Sequence, residues 1–269
     1  MNKQNELTKE QRDEKNILIA NVMDKVRFVK ERSGFENTFF LDLAQIYELT
    51  KFLEMKHIEN YEFFGGFENA ERKMLILYSE EMFEYIKDKM DVYNQIMSCI
   101  KIELPKGQEE KYEHKTYLGA LIKLGLKREM IGDIIVKENG AEILIAKEIE
   151  KFLLSNLNLL TRFQKAKIST IKIEEVTNAV PKTKKVKINV SSMRLDSIVS
   201  ELAHTSREKA QEIIDEERVF VNFKEELSYS KKIEEENYIS IRGKGRFKIT
   251  EIIGQTKSGR LNVEIETFA

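Results

Sequence analysis

Cysteine is almost absent from this chain of 269 residues: Cys99 stands alone. One cysteine cannot form an internal disulfide or a Cys-rich zinc site. Histidine is nearly as scarce. His57, His114 and His204 lie far apart and show no metal-ligand spacing, so no metal or other cofactor is expected. No apolar run approaches the length needed to cross a bilayer. The opening residues, MNKQNELTKEQRDEKN, are polar and carry both signs of charge. They lack the apolar stretch of a secretory signal. The expectation is a cytoplasmic protein with no membrane partner.

Charge is what the chain has in excess. Charged residues make up 34% and hydrophobic ones 41%, enough for real cores beneath a highly charged surface. The length suits two or three domains. The formal net charge is −1, but it is unevenly spread. Residues 182–269 hold 17 Lys and Arg against 15 Asp and Glu, a net of about +2, which leaves about −3 to the first 181. Lys182, Lys184, Lys185, Lys187 and Arg194 form a run with no acid among them. Arg242, Lys244, Arg246, Lys248, Lys257 and Arg260 form a second group, opposed by Glu251 alone. Screening cuts off charges beyond roughly 8–10 Å, so a phosphate responds to such local groups and not to the total. Solvated cations on ordinary strands would give the same pattern.

Residues 1 to 72 read as helical: Val22, Val26 and Val29, then Leu41, Ile46, Leu49, Phe52 and Leu53, recur at helical spacing. The segment FFGGFENAERK carries Gly65-Gly66, a turn signal without the Lys-Ser/Thr of a P-loop. Residues 73–176 alternate as β-α-β-α-β-β-α-β, starting with MLILY and including a hairpin that turns at Asn139-Gly140. That order suggests an α+β domain of the ferredoxin/RRM class. Its strands lack the aromatic RNP pattern, so base stacking on this sheet is not expected. Residues 177–190, with Pro181 and the basic run, read as a linker.

The C-terminal stretch is the most informative. Leu195, Ile198, Val199 and Leu202 line one face of a helix that Ser192 can cap. His204-Thr205 breaks it. Ser206 caps a second helix with an apolar stripe of Ala210, Ile213 and Ile214, which leaves Arg207 and Gln211 side by side on an outward face. Val219 and Val221 alternate as a strand, and Asn222 suits a turn. Gly243 and Gly245 remove bulk between Arg242, Lys244 and Arg246, so that backbone N–H groups and three cations could meet a phosphate backbone. A plain basic hairpin turn is the competing reading. Leu261, Val263 and Ile265 alternate with Asn262, Glu264 and Glu266 as a further strand.

Arg194-Leu195-Asp196, Ser206-Arg207, Ala210, Ile214, Val219-x-Val221-Asn222 and Ile241-Arg242-Gly243 occur in an order that resembles the S4 RNA-binding domain over about residues 190–250. Glu217 and Glu236-Asn237 stand where that family often has Gly and Gly-Asp. Adding FFGGFENAERK and HKTYLGALIKLGLKREMIGDI, nearly the whole chain resembles the YlmH family of bacterial S4-domain proteins. The resemblance implies a helical N-terminal domain (1–72), an RRM-like middle domain (73–176), a basic linker (177–190) and an S4-like domain with C-terminal strands (191–269). It also implies binding to the large ribosomal subunit, through rRNA or peptidyl-tRNA, in rescue or quality control of stalled ribosomes.

The expected RNA ligands are Arg194, Ser206, Arg207, Lys209, Gln211 and Asn222, with Arg242, Gly243, Lys244, Gly245 and Arg246 from the glycine loop. Lys182, Lys184 and Lys185 would add a less ordered contribution. Reversing Arg207 and Lys244 to Glu is expected to weaken RNA binding with folding unchanged. The alternative is an RNA-modifying enzyme, pseudouridine synthase-like or methyltransferase-like, carrying an S4 module. Against it, RLD continues as SIVSE and not TSG, no glycine-rich nucleotide loop follows a strand, and no small-molecule substrate is indicated. Cys99 sits in an apolar strand, and His114 has no carboxylate to orient it. The acidic balance of the first two domains is compatible with a protein partner.

Overall fold

The computed structural model describes residues 9–86, 88–107, 112–176, 183–256 and 259–268. The expected ligand Lys182 and the first six residues of the expected linker, 177–182, lie outside them, as does Lys257. The chain is a mixed α+β protein that divides into two compact units, Glu10–Ala179 and one that takes in Val180–Ala269.

The first unit stacks two sheets between helices. Helices α1 (Lys9–Glu31) and α2 (Leu43–Met55) are joined through strand β1 (Phe35–Asn37). Asp42 and Gln45 close a reciprocal capping box at the start of α2. Strands β2 (Tyr61–Phe64) and β3 (Met74–Tyr78) complete a sheet in the order β1-β3-β2. Residues 1–72 are therefore not purely helical, and MLILY pairs with strands on the N-terminal side. After α3 (Glu80–Tyr85) and α4 (Met90–Ile96) come β4 (Met97–Glu103), α5 (His114–Lys123), β5 (Ile131–Lys137), β6 (Gly140–Ala146), α6 (Glu150–Asn156) and β7 (Lys167–Ile171). From β4 onward the order is β-α-β-β-α-β, and the antiparallel sheet runs β5-β6-β4-β7.

Alternation along the strands explains the layers. Met74, Ile76 and Tyr78 of β3 pack with Met97 and Cys99 of β4 and with Leu144 and Ala146 of β6, which fills the space between the two sheets. Leu75 and Leu77 point the other way, onto Val22, Val26, Leu49 and Leu53 of α1 and α2. Ile100, Ile102, Ile143 and Ile145 face Tyr117, Leu121 and Leu153 of α5 and α6. The central strands β3 and β6 and most of β4 are thus buried on both faces, and MLILY of β3 reads as an unbroken apolar run.

FFGGFENAERK sits where the sheets meet. A Cβ on Gly65 would lie 2.2 Å from the Arg72 carbonyl oxygen, and one on Gly66 would lie 2.4 Å from Leu144. Gly66 also has φ +97°, a conformation that L side chains avoid. Arg72 donates to the Phe40 carbonyl at 2.8 Å and the Ile131 carbonyl at 3.0 Å, while Asp133 accepts from the Glu71 and Arg72 backbone N–H groups. Within this unit the motif works as an internal clasp.

In the C-terminal unit, β8 (Thr183–Val190) precedes α7 (Leu195–Ala203) and α8 (Arg207–Asp215). Then come β9 (Val219–Val221), β10 (Lys224–Glu225), β11 (Tyr238–Ile241), β12 (Gly245–Gln255) and β13 (Leu261–Phe268). The six strands form an antiparallel sheet in the order β10-β9-β11-β12-β13-β8. Residues 183–190 are therefore an edge strand and not a linker. Leu195, Ile198, Val199 and Leu202 of α7 and Ala210 and Ile214 of α8 pack on Val219, Val221, Ile239, Ile241, Phe247 and Ile249.

Gly65→Ala should lower unfolding free energy by about 1–3 kcal/mol, the usual cost of forcing extra volume into a packed site. Gly119→Ala, in α5 with nothing within 4 Å of the added Cβ, should raise it by roughly 0.5–1 kcal/mol. Urea titration of the two variants checks both signs.

Candidate nucleic-acid interface

The helix layer of the C-terminal unit is organised by a residue that sequence reasoning treated only as part of a motif. Asp196, in the first turn of α7, has 0% solvent exposure. Its carboxylate accepts from Arg194 Nε at 3.2 Å and Nη2 at 3.1 Å, from Arg207 Nε at 2.9 Å and Nη2 at 3.0 Å, and from Gln211 Nε2 at 3.3 Å. The Ser197 backbone N–H adds a bond of 2.9 Å. Burial alone would raise the Asp196 pKa. The bonds from Arg194, Arg207 and Gln211 outweigh that and hold the carboxyl below the usual carboxylate range.

Arg207 and Gln211 do share a helix face, as their spacing requires, but that face turns toward the carboxylate. The Arg194 and Arg207 side chains remain 43% and 48% exposed. Each uses Nε and Nη2 on Asp196, which leaves its Nη1 group for an outside acceptor. The hub joins two guanidiniums to one carboxylate, for a net of one positive charge. Exposed Lys209 lies in the same first turn of α8, two residues after Arg207 and so on a different face of the helix. Charge reversal at Arg207 would place a second carboxylate against a buried one, so its effect cannot be confined to binding.

Several other expected ligands have structural duties. The Ser206 hydroxyl caps α8 by accepting from the Lys209 N–H at 3.3 Å. Asn222, at φ +49°, accepts from the Tyr238 N–H through its side chain and closes the turn after β9. Ser192 does not cap α7. The helix begins after Arg194, and the Leu195 and Asp196 N–H groups donate to the Lys231 and Tyr229 carbonyls. In the glycine loop, the Arg242 N–H donates to the Arg218 carbonyl and the Lys244 N–H to the Ile241 carbonyl. The loop is a basic hairpin turn, with Gly243 at φ +80°, and two of its N–H groups are already used. Arg242, Gly243, Lys244 and Gly245 are exposed at its tip, and Arg246 is half-buried.

The expected ligands do not share one face. Arg246 and Lys248 alternate with buried Phe247 and Ile249, so they point away from α7 and α8. Arg242 lies over the Phe220 ring, on that same open side. Lys184 and Lys185 are ordered on β8. Lys185 pairs with Glu264 at 2.9 Å, and Lys187 stands opposite Glu264 in the register. The acids that alternate along β13 therefore offset this run. Arg260 is bound by Glu201 and by the Asn189 carbonyl.

Cys99 is fully buried in the first unit, where burial, reinforced by Glu142, pushes its thiol up to about 12. A thiol in that state is not a nucleophile near neutral pH. His114 opens α5 and is exposed. Among the described residues no group of three or more His, Cys, Asp and Glu side chains could hold a metal ion, and no helix is long and apolar enough to cross a membrane.

Residues 94–179 match a family model described as "Putative RNA-binding domain in YlmH". The chain is 30% identical over 261 residues to the ribosome-associated protein quality control protein P2 of Bacillus subtilis (strain 168), a match that covers 95% of this chain and 96% of the relative. It is also similar to a solved structure, the cell division protein ylmH from Streptococcus pneumoniae, at 18% identity and TM-score 0.48, over 65% of this chain and 100% of that one. The class so defined is a modular α+β protein whose β-α-β-β-α-β segment falls within the YlmH model. The chain belongs to the YlmH family.

Asp196→Asn should cost about 1.5–3 kcal/mol at neutral pH, the range for hydrogen bonds to charged groups. A carboxyl depressed below its ordinary value of about 3.9 contributes fully above that pH. The contribution is lost as pH falls through the lower folded value. The gap between wild type and Asp196→Asn should therefore hold from pH 7 to about 4 and close below it, read by denaturant titration at each pH.

Proposed function

We propose that this protein is a non-catalytic RNA-binding protein of translation. Its C-terminal unit acts as an S4-like module that docks structured RNA of the large ribosomal subunit or peptidyl-tRNA, in the rescue or quality control of stalled ribosomes in the cytoplasm. The observation that carries the reading is the Asp196 hub. It holds two half-exposed guanidiniums in fixed positions, an arrangement suited to phosphates of a folded RNA, and exposed Lys209 adds a cation on another face of the same first turn of α8. Double-stranded RNA is met mainly through shape, 2′-hydroxyls and phosphates, because side chains cannot read its deep groove. Lys244 at the hairpin tip is a further candidate contact.

Membership of the YlmH family supports the placing in translation, since one relative is named for ribosome-associated quality control. The β-α-β-β-α-β segment is read here as RRM-like. Its central strands β4 and β6 are packed on both faces, so they do not offer the open surface on which an RRM sheet stacks bases, and the RNA contacts are assigned to the C-terminal unit. The inert state of Cys99 favours the non-catalytic reading over an RNA-modifying enzyme.

The test is co-sedimentation with purified ribosomal subunits across a salt series. Lys209→Glu and Lys244→Glu, both at exposed positions, should weaken association without changing the melting curve. Each should lower the slope of log affinity against log salt by about one, the signature of one lost phosphate contact. Unchanged association of the double variant would overturn the reading, as would nucleoside changes in a tRNA and rRNA pool incubated with the protein.

A further inference from the structure

The side of the C-terminal sheet turned away from α7 and α8 carries an arrangement that the helix-layer contacts do not use. Antiparallel partners share a face, so the register lays out its rows. One row runs Phe220, Ser240, Arg246, Phe268 across β9, β11, β12 and β13. The next runs Tyr238, Lys248, Glu266, Lys185. Phe223, in the turn after β9, packs on Tyr238 with ring centroids 5.2 Å apart, and Tyr238 lies 6.1 Å from Phe268. Cations are interleaved with these rings. Arg242 lies 4.9 Å above the Phe220 ring, Arg246 lies 6.0 Å from that of Phe223, and Lys248 lies 5.7 Å from that of Tyr238. All four rings are half-buried, so each keeps part of its surface in solvent.

Four acids temper this face: Glu225 stands opposite Phe220, Glu236 holds Lys248 at 2.6 Å, Glu266 lies across from Lys248, and Glu264 pairs with Lys185. Arg242, over Phe220, and Arg246, opposite Phe268 in the register, are the arginines set among the rings. Flat rings set among arginines match a ligand that alternates planar faces with anionic links. The first row spans three strand spacings, roughly 14 Å, which is room for a few nucleotides.

We propose that this open face is a platform for an unpaired stretch of RNA, with bases stacking on Phe220, Tyr238 and Phe268 and phosphates held by Arg242 and Arg246. Stacking needs bases released from a helix, so the face selects single strands over duplexes. It is a different surface from the Asp196 hub, and the two fail independently.

The experiment uses the full chain, a labelled short oligouridine and an RNA duplex of equal length, with fluorescence anisotropy as the readout. Phe220→Ala and Phe268→Ala should each weaken oligouridine binding by roughly 5- to 100-fold and leave duplex binding unchanged. Phe220→Leu keeps the apolar bulk and removes the aromatic face, so it should lose nearly as much with an unaltered melting curve. Lys209→Glu should do the reverse, weakening the duplex more than the single strand. Ultraviolet crosslinking of wild-type protein to oligouridine should place adducts on Phe220, Tyr238 or Phe268. Wild-type protein that ignores oligouridine, a Phe220→Leu variant that binds it normally, equal losses for both RNAs, or adducts confined to α7 and α8 would each overturn the proposal.

Discussion

A carboxylate with no access to water must find its compensation inside the protein, and Asp196 finds it in two arginines and a glutamine. Burying an ionised group without partners costs several kcal/mol. The helix layer of the C-terminal unit is built so that this cost is met. Arg194 comes from just before α7 and Arg207 and Gln211 from α8. The one carboxylate therefore fixes the register between the two helices. It also decides what the surface presents, because two cations anchored by one anion leave positive charge facing outward on side chains that cannot wander. An exposed lysine offers the same charge but must lose its rotamer freedom on binding.

The first unit obeys a different constraint, the close approach of two sheets. Gly65 and Gly66 let backbone and Leu144 come within distances no side chain would allow. Arg72 converts that approach into hydrogen bonds to carbonyls on both sides of the junction. A guanidinium suits this task because its planar fork serves several acceptors at once. In the C-terminal unit the same residue type faces partly outward. Burial and partner, not residue type, separate an arginine enclosed by the fold from one that keeps part of its surface in solvent.

The difference explains how much could be read from the sequence. The stripe of α7, the cap at Ser206, the hairpin at Asn139-Gly140 and the alternation of β13 were legible, since each depends on local periodicity or turn chemistry. Strands β1 and β2 were not, because three or four residues are too few to show a period of two. MLILY was legible as a strand but not in its partners, since a run buried on both faces carries no sign of which neighbour it pairs with. Strand β8 was masked by its lysines, which suggest a solvated linker when the acids that offset them lie about 80 residues away on β13. The hub was half visible. The spacing of Arg207 and Gln211 put them on one face, and only the fold shows that Asp196 lies beneath it. The family was legible from motifs spread along the chain.

A sheet with helices on one side has two surfaces, and here their chemistries differ in kind. On the helix side the cations are held by a buried anion and no ring lies among the expected ligands. On the function proposed here, such a surface registers the spacing of phosphates, which duplex RNA keeps rigid. On the open side the cations sit against aromatic faces, and rings that touch one another prefer a further flat partner to water. The second surface therefore answers to exposed bases. Electrostatic attraction to either falls with salt, whereas stacking depends on it far less. Folded RNAs carry paired stems next to unpaired loops, and a module with both surfaces can distinguish that combination from either part alone.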